Sequence, residues 1–292
     1  VAITEEWTGA GAPVGAWSTG GAMNTGRTRL MGTGTQTAAL AIGGEAPPGN
    51  SALNELYNGT SWTETGDLNT GRKGGGESGI STSSIIFGGN DPSGDTAIAE
   101  TWNGSSWTEV GNLNTARREH AGAGISNTAA VAFGGQNADG TLVGIAETWN
   151  GSSWSEVADL NTARQQLAAA GTSTAAVAFG GGPGTKDVTE TWNGSAWTEV
   201  GDLNTARRTL AGAFGGTTTA TLAFGGNNPA RAFTEDWNGV SWVEIGDLNT
   251  AIYNHAGAGT TTAALSFGGN GPTTATEEWN GSTTAVKTVD VD

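Results

Sequence analysis

Glu100-Thr101-Trp102-Asn103-Gly104-Ser105-Ser106-Trp107-Thr108-Glu109-Val110 reads as a β-hairpin. Thr101-Trp102 and Trp107 to Val110 are built from strand formers, and Asn103-Gly104 between them supplies the positive φ of a tight turn. Near-copies begin at Glu55, Glu147, Glu190, Glu235 and Glu277, with a degenerate one at Glu5. Self-similarity at a period of about 45 residues outranks any local feature, because it means that supersecondary units stack or close into a ring.

Outward from the hairpin, each unit has the same four parts. A link opens at Asn24, Asn69, Asn114, Asn161, Asn204 and Asn249. A small-residue strand follows, as in Ala121-Gly122-Ala123-Gly124-Ile125, then a short apolar strand ending in Gly-Gly, as in Ala132-Phe133-Gly134-Gly135. A variable loop then leads into the tryptophan hairpin. Strands of Gly and Ala approach one another closely, as the innermost strands of a radial array must. The expectation is therefore an all-β fold, a six-bladed β-propeller of four-stranded antiparallel blades spanning residues 1–292, with units starting at about 24, 69, 114, 161, 204 and 249. Residues 1–22 add half a repeat, so six Gly-Gly strands face seven hairpins, and a seven-bladed ring with an incomplete blade is the alternative. In a six-bladed ring, residues 1–22 and 270–292 are expected to compete for one outer edge, leaving the loser free to pair with another chain.

The apolar pair before Gly-Gly, the Glu-x-Trp about a dozen residues on, the second Trp five residues later and the Arg opening the next unit together resemble the kelch repeat, over essentially the whole chain. The chain departs from the pattern at Tyr57, which replaces the first Trp, and at Ile252, which replaces Arg. The last unit also departs, since it ends without the second Trp.

A net charge of −16 argues against nucleic acid and anionic membranes, which need basic surfaces. With no cysteine there is no disulfide, thiolate metal site or thiol nucleophile. No apolar run is long enough to span a membrane as a helix. The chain opens on Val1 rather than Met, as expected for a processed product or a fragment.

Arg27, Arg72, Arg117, Arg164 and Arg207 share one link position, and with Arg29, Lys73, Arg118 and Arg208 beside them they make nine of the twelve cations. In a propeller, equivalent positions form a ring, so a basic annulus is expected at the axial mouth of one face. The planar guanidinium fork suits either an anionic ligand or the bracing role that the kelch resemblance implies. His120 and His255 are equivalent in units three and six; a metal would need three or four ligands, and no Cys or further His is available to help them. Tyr253, beside Asn254 and His255, makes the last link the least repetitive and marks a candidate binding spot. Kelch-like oxidases hold copper with histidines, tyrosines and a cross-linked cysteine, a set this chain lacks, so no cofactor is expected. The repeated carboxylates Glu64, Glu109, Glu156, Glu199 and Glu244 read as scaffold, because a catalytic pair needs two acids in distinct environments.

Loops Glu45 to Asn54, Asn90 to Ala97, Gln136 to Gly144, Gly182 to Asp187, Asn227 to Ala232 and Asn270 to Thr274 vary while the strands hardly drift, and variable loops on a rigid array are where recognition sits. The paired Trp rings either bury area between blades or, if exposed, stack on sugars. The functional expectation is a non-enzymatic recognition or adhesion module, extracellular or virion-associated, that binds polysaccharide or a protein surface through the loops and an Arg-lined face. Repeat-rich phage and bacterial surface proteins have similar low-complexity strands. The alternative is a fibre, filament or virion subunit that self-associates through residues 1–22. A propeller lyase or hydrolase would require His120, His255 or Tyr253 to cluster with a carboxylate.

Overall fold

Each unit of the repeat becomes one blade, because the small-residue strand, the Gly-Gly strand and the two arms of the Trp hairpin pair in sequence order. A computed structural model describes residues 15–227 and 229–281. Blade 1 comprises Met31–Thr35, Ala38–Ile42, Asn54–Tyr57 and Trp62–Glu64, innermost to outermost. Blades 2 to 5 repeat this order, beginning at Gly76, Ala121, Ala168 and Ala211. Every pairing is antiparallel, and in the hairpins the two aromatic residues face each other across the turn, as Trp102 faces Trp107.

Blade 6 is composite. Ala256–Gly259, Ala263–Phe267 and Thr276–Asn280 supply three strands, and Ala16–Thr19 from the other end of the chain supplies the fourth. Trp17 lies opposite Trp279, where a second hairpin Trp would stand. Ala16–Thr19 and Thr276–Asn280 are therefore neighbours in one blade rather than rivals for one edge, and Trp17 stands as the outer Trp of the sixth hairpin. The ring has six blades. Glu5 to Trp7, and the residues after Gly281, lie outside the described residues.

The hydrophobic core lies between blades rather than inside any one of them. Six buried clusters each join two neighbours, among them Val131 and Phe133 of blade 3 with Trp192 and Trp197 of blade 4. At five seams the ring edge or face of an outer Trp meets a Phe of the preceding blade, with centroids 4.7 to 5.0 Å apart; Trp17 closes one such seam on Phe224 and Trp62 another on Phe267. Such contacts add about 0.5–1.5 kcal/mol each to the burial itself.

The backbone stitches the same seams. The second glycine of each Gly-Gly donates its N–H to the carbonyl of the link residue in the next blade, from Gly44 to Arg72 (2.8 Å) round to Gly269 and Arg27 (2.8 Å). Gly44 needs its positive φ of 97° for this, and a Cβ there would lie 2.8 Å from that of Leu30, so the position accepts only glycine.

The seam between blades 6 and 1 carries an extra clasp. Tyr57, which breaks the Trp pattern, donates its hydroxyl to Glu278 and accepts from the Gly21 amide at 3.3 Å. Gln36 adds two bonds, to the carbonyls of Ala264 and Trp279.

Candidate functional site on the link face

The five link arginines are the first correction. Arg27, Arg72, Arg117, Arg164 and Arg207 are 0% exposed, and each is paired with the first Glu of its own blade's hairpin: Glu55, Glu100, Glu147, Glu190 and Glu235. Burial pushes each guanidinium below its usual value and the carboxylate pulls it back. Arg27 also donates to the carbonyls of Gly43 (2.9 Å) and Leu53 (2.6 Å), so it fastens the link to its blade. The Glu55 carboxylate also accepts from the Asn24 amide (2.7 Å) and side chain (2.9 Å), which explains the repeated Asn that opens each link. These cations are buried in the scaffold and paired with carboxylates, not displayed as an annulus on its surface. In blade 6, Ile252 takes the position and Glu277 keeps only the Asn249 and Thr250 donors.

His120 and His255 are also buried, 4% and 6% exposed, where three other blades have Leu30, Leu167 and Leu210. Each fills the wedge behind the preceding blade's Phe, at 5.7 Å from Phe87 and Phe224 respectively. His120 Nε2 accepts from the Gly76 amide at 3.1 Å. Burial drives both imidazoles down, His255 to about 3, so both are neutral at pH 7. They sit on blades 3 and 6 and do not meet. All eleven described tryptophans are at most 6% exposed, which removes the sugar-stacking reading of their rings. Tyr253 is partly exposed on the link face, its amide held by Asn270 at 3.1 Å.

What remains at the surface is organised around the axis. Arg29, Gly74, Glu119, Gln166, Thr209 and Asn254 are equivalent residues two positions beyond the link Arg or Ile252, and their backbones form a closed circle. Each amide donates to the carbonyl of the preceding blade's residue, Gly74 to Arg29 (3.0 Å), Glu119 to Gly74 (2.7 Å), and so on to Arg29 onto Asn254 (2.8 Å). All six have φ between 52° and 59°, and the five that are not glycine are the only described non-glycine residues with positive φ. A left-handed residue of this kind costs about 1–2 kcal/mol, which the circle of bonds offsets.

This rim opens into an axial cavity of about 100 Å³ walled by Gly and Ala of the innermost strands. Two side chains break the wall. Glu77 stands where the other blades have Gly32, Gly122, Ala169, Gly212 and Gly257; it is enclosed by protein yet open to the cavity. No described donor reaches its carboxyl, and burial pushes it up to about 8. Phe214 stands two residues further along its strand, where the other blades have Gly34, Gly79, Gly124, Gly171 and Gly259, all at positive φ. It is 5% exposed, lines the cavity, and ends the regular strand of blade 5 at Gly212. The site is a cup, with a polar rim, one carboxyl in the wall and an aromatic ring towards its far end.

At the rim, Glu119 lies over Gly74, whose missing side chain makes the room, and pairs with Arg29 at 3.6 Å. Burial raises the Glu119 carboxyl, while Arg29 and Gln166 lower it. Outside the rim, Lys73 pairs with Glu45 (2.8 Å) and Arg118 with Asp95 (2.6 Å), whereas Arg208 has no carboxylate partner among the described residues. A shallow groove between the loops of blades 1 and 2 runs past Glu45, Pro47, Asn50, Lys73 and Asn90.

No family model and no curated protein matches the chain. Glu77, Glu119 and Phe214 escaped sequence reasoning although the signal was present. Aligning the innermost strands of the repeat exposes a single acid and a single aromatic among glycines and alanines.

Proposed function

We propose that the protein is a non-catalytic recognition module that binds through its link face, with the axial cup at the centre and the variable loops around it. One observation carries this reading: five of the six repeats share the buried Arg–Glu pair, all six share the Gly-to-link backbone bond across the seam, and the repeats diverge on the link face. Thr28, Lys73, Arg118, Gln165, Arg208 and Tyr253 form one changing ring, and the left-handed rim forms a second. Backbone strain retained on that rim points the same way. The kelch resemblance, the low-complexity strands of Thr, Ala and Gly and the mixed polar chemistry of the rim support a polysaccharide or protein surface as ligand, in an extracellular or virion setting. The fibre-subunit reading has less to draw on, since Ala16–Thr19 is spent on closing the ring.

Binding of labelled protein to an array of neutral and acidic polysaccharides tests the reading. The controls are Arg208→Ala and Tyr253→Ala on the link face against Thr261→Ala on the opposite face. Selective binding weakened only by the link-face changes is expected. Binding weakened equally by Thr261→Ala would sink it, as would specific turnover of the bound polymer by the purified protein.

A further inference from the structure

We infer that the axial cup admits a primary ammonium group on a slender alkyl stem, its N–H donors set against the Glu77 carboxylate and the Gln166 side-chain oxygen. The inference rests on the link face being the recognition surface and names the chemistry its centre takes.

The cup is rich in acceptors that the protein leaves unused. The Glu77 carboxyl meets no described donor, and Gln166 Oε1, at the rim, is buried without a hydrogen-bond partner. Groups in that condition are costly unless something donates to them. Arg29, the one Lys or Arg that lines the cavity, is already engaged by Glu119 at 3.6 Å. An anion would find no unpaired Lys or Arg among the residues that line the cup. A hard metal ion takes about six oxygen ligands, and no group of three or more acidic or histidine ligands occurs among the described residues. An ammonium has three donors and needs only two or three acceptors.

Shape selects the stem. At about 100 Å³, with walls of Gly122, Ala169, Gly212 and Gly257, the space suits a short unbranched chain rather than a sugar ring. Phe214 gives the apolar part a ring to lie against and replaces the glycine that would otherwise leave the strand smooth at that level. Ammonium groups are favoured over aromatic faces as well as beside carboxylates.

Titration supplies a signature. The groups around Glu77 are Arg29 and Glu119 at the rim, His120 and His255 between the blades, and no other charged side chain lines the cavity. Both histidines are neutral, so the Glu77 carboxyl, pushed up to about 8, keeps its proton at pH 7. An ammonium ion has to displace that proton, so binding tightens as pH rises towards 9, where an alkylamine of pKa about 10.4 is still charged.

The test is calorimetric titration of the protein with n-butylammonium and with n-butanol at pH 6, 7.5 and 9, with a peptide that carries a free lysine side chain and an acetylated N-terminus as a second arm. Saturable ammonium binding is expected, tighter at pH 9 than at pH 6 by roughly tenfold or more, with proton release at pH 7.5 and no response to butanol. Glu77→Gln, checked for an unchanged melting profile, should weaken binding at pH 9 at least about tenfold and abolish the pH dependence. Should that variant fold poorly, proton release by the unaltered protein in two buffers of different ionisation enthalpy decides the matter. Binding by the peptide as well as the free amine identifies a lysine side chain as the source; binding by the free amine alone identifies a small amine. Absence of ammonium binding at pH 9, equal binding of butanol, or binding untouched by Glu77→Gln overturns the inference. Polysaccharide binding by the same preparation would show that the recognition reading survives that failure.

Discussion

Each buried arginine of this protein answers to one carboxylate, and the pair is worth more as a lock than as a charge. Removing one partner leaves the other buried and alone, so Arg117→Ala or Glu147→Ala should each cost about 3–5 kcal/mol, read as a lowered denaturation midpoint. A change at Arg208, which is partly exposed beside the buried Arg207 and has no carboxylate partner among the described residues, should move stability by less than about 0.5 kcal/mol. The histidines make a pH prediction. Their folded-state pKa lies below the unfolded value of 6.5, so the stability they contribute is present above pH 6.5 and is lost as pH falls towards about 3. Replacing both by Leu, the residue three other blades use there, should flatten that acid limb of the melting-temperature profile. The recurrence of Arg was legible in the sequence. Its burial was not, because the same guanidinium serves a carboxylate inside or a ligand outside, and only the folded link brings Glu147 against Arg117.

Among elements, the strand Ala16–Thr19 decides whether the ring closes. Without it Trp279, Phe224 and the edge of Thr276–Asn280 would be uncovered. Trp17→Ala should cost about 3–5 kcal/mol, and deletion of residues 1–19 should yield concentration-dependent association, visible in size-exclusion chromatography with light scattering. The neighbouring seam depends on Tyr57. Burial and Glu278 hold its phenol up to about 12 from 10, so the contribution of its hydrogen bond is present below pH 10 and is lost as pH climbs towards 12. Tyr57→Phe should cost about 1–2 kcal/mol at pH 8 and remove that alkaline component of unfolding. Here sequence reasoning recognised the substitution of Tyr for Trp but had no means of seeing Glu278, which lies 221 residues away.

At the scale of the molecule, six near-identical units meet at an axis where none of them can be identical in its surroundings. The repeat period, the Asn-Gly turns, the Gly-Gly strand ends and the small innermost strands determined by themselves an all-β ring of four-stranded blades, and the pairing of Ala16–Thr19 with Thr276–Asn280 settled six blades over seven. Those signals are local or periodic, and local sterics and hydrogen bonding suffice to read them. Tertiary structure alone decided which repeated residues face solvent and which atypical ones converge. It turned a ring of arginines inward onto carboxylates, sank the tryptophans into the seams, and gathered Arg29, Glu77, Glu119, Gln166 and Phe214 from five blades around one cup. The reason is geometric. Radial closure maps residues about 45 apart in sequence onto neighbouring points of a circle, so the chemistry at the axis belongs to no single repeat and exists only once the ring is shut.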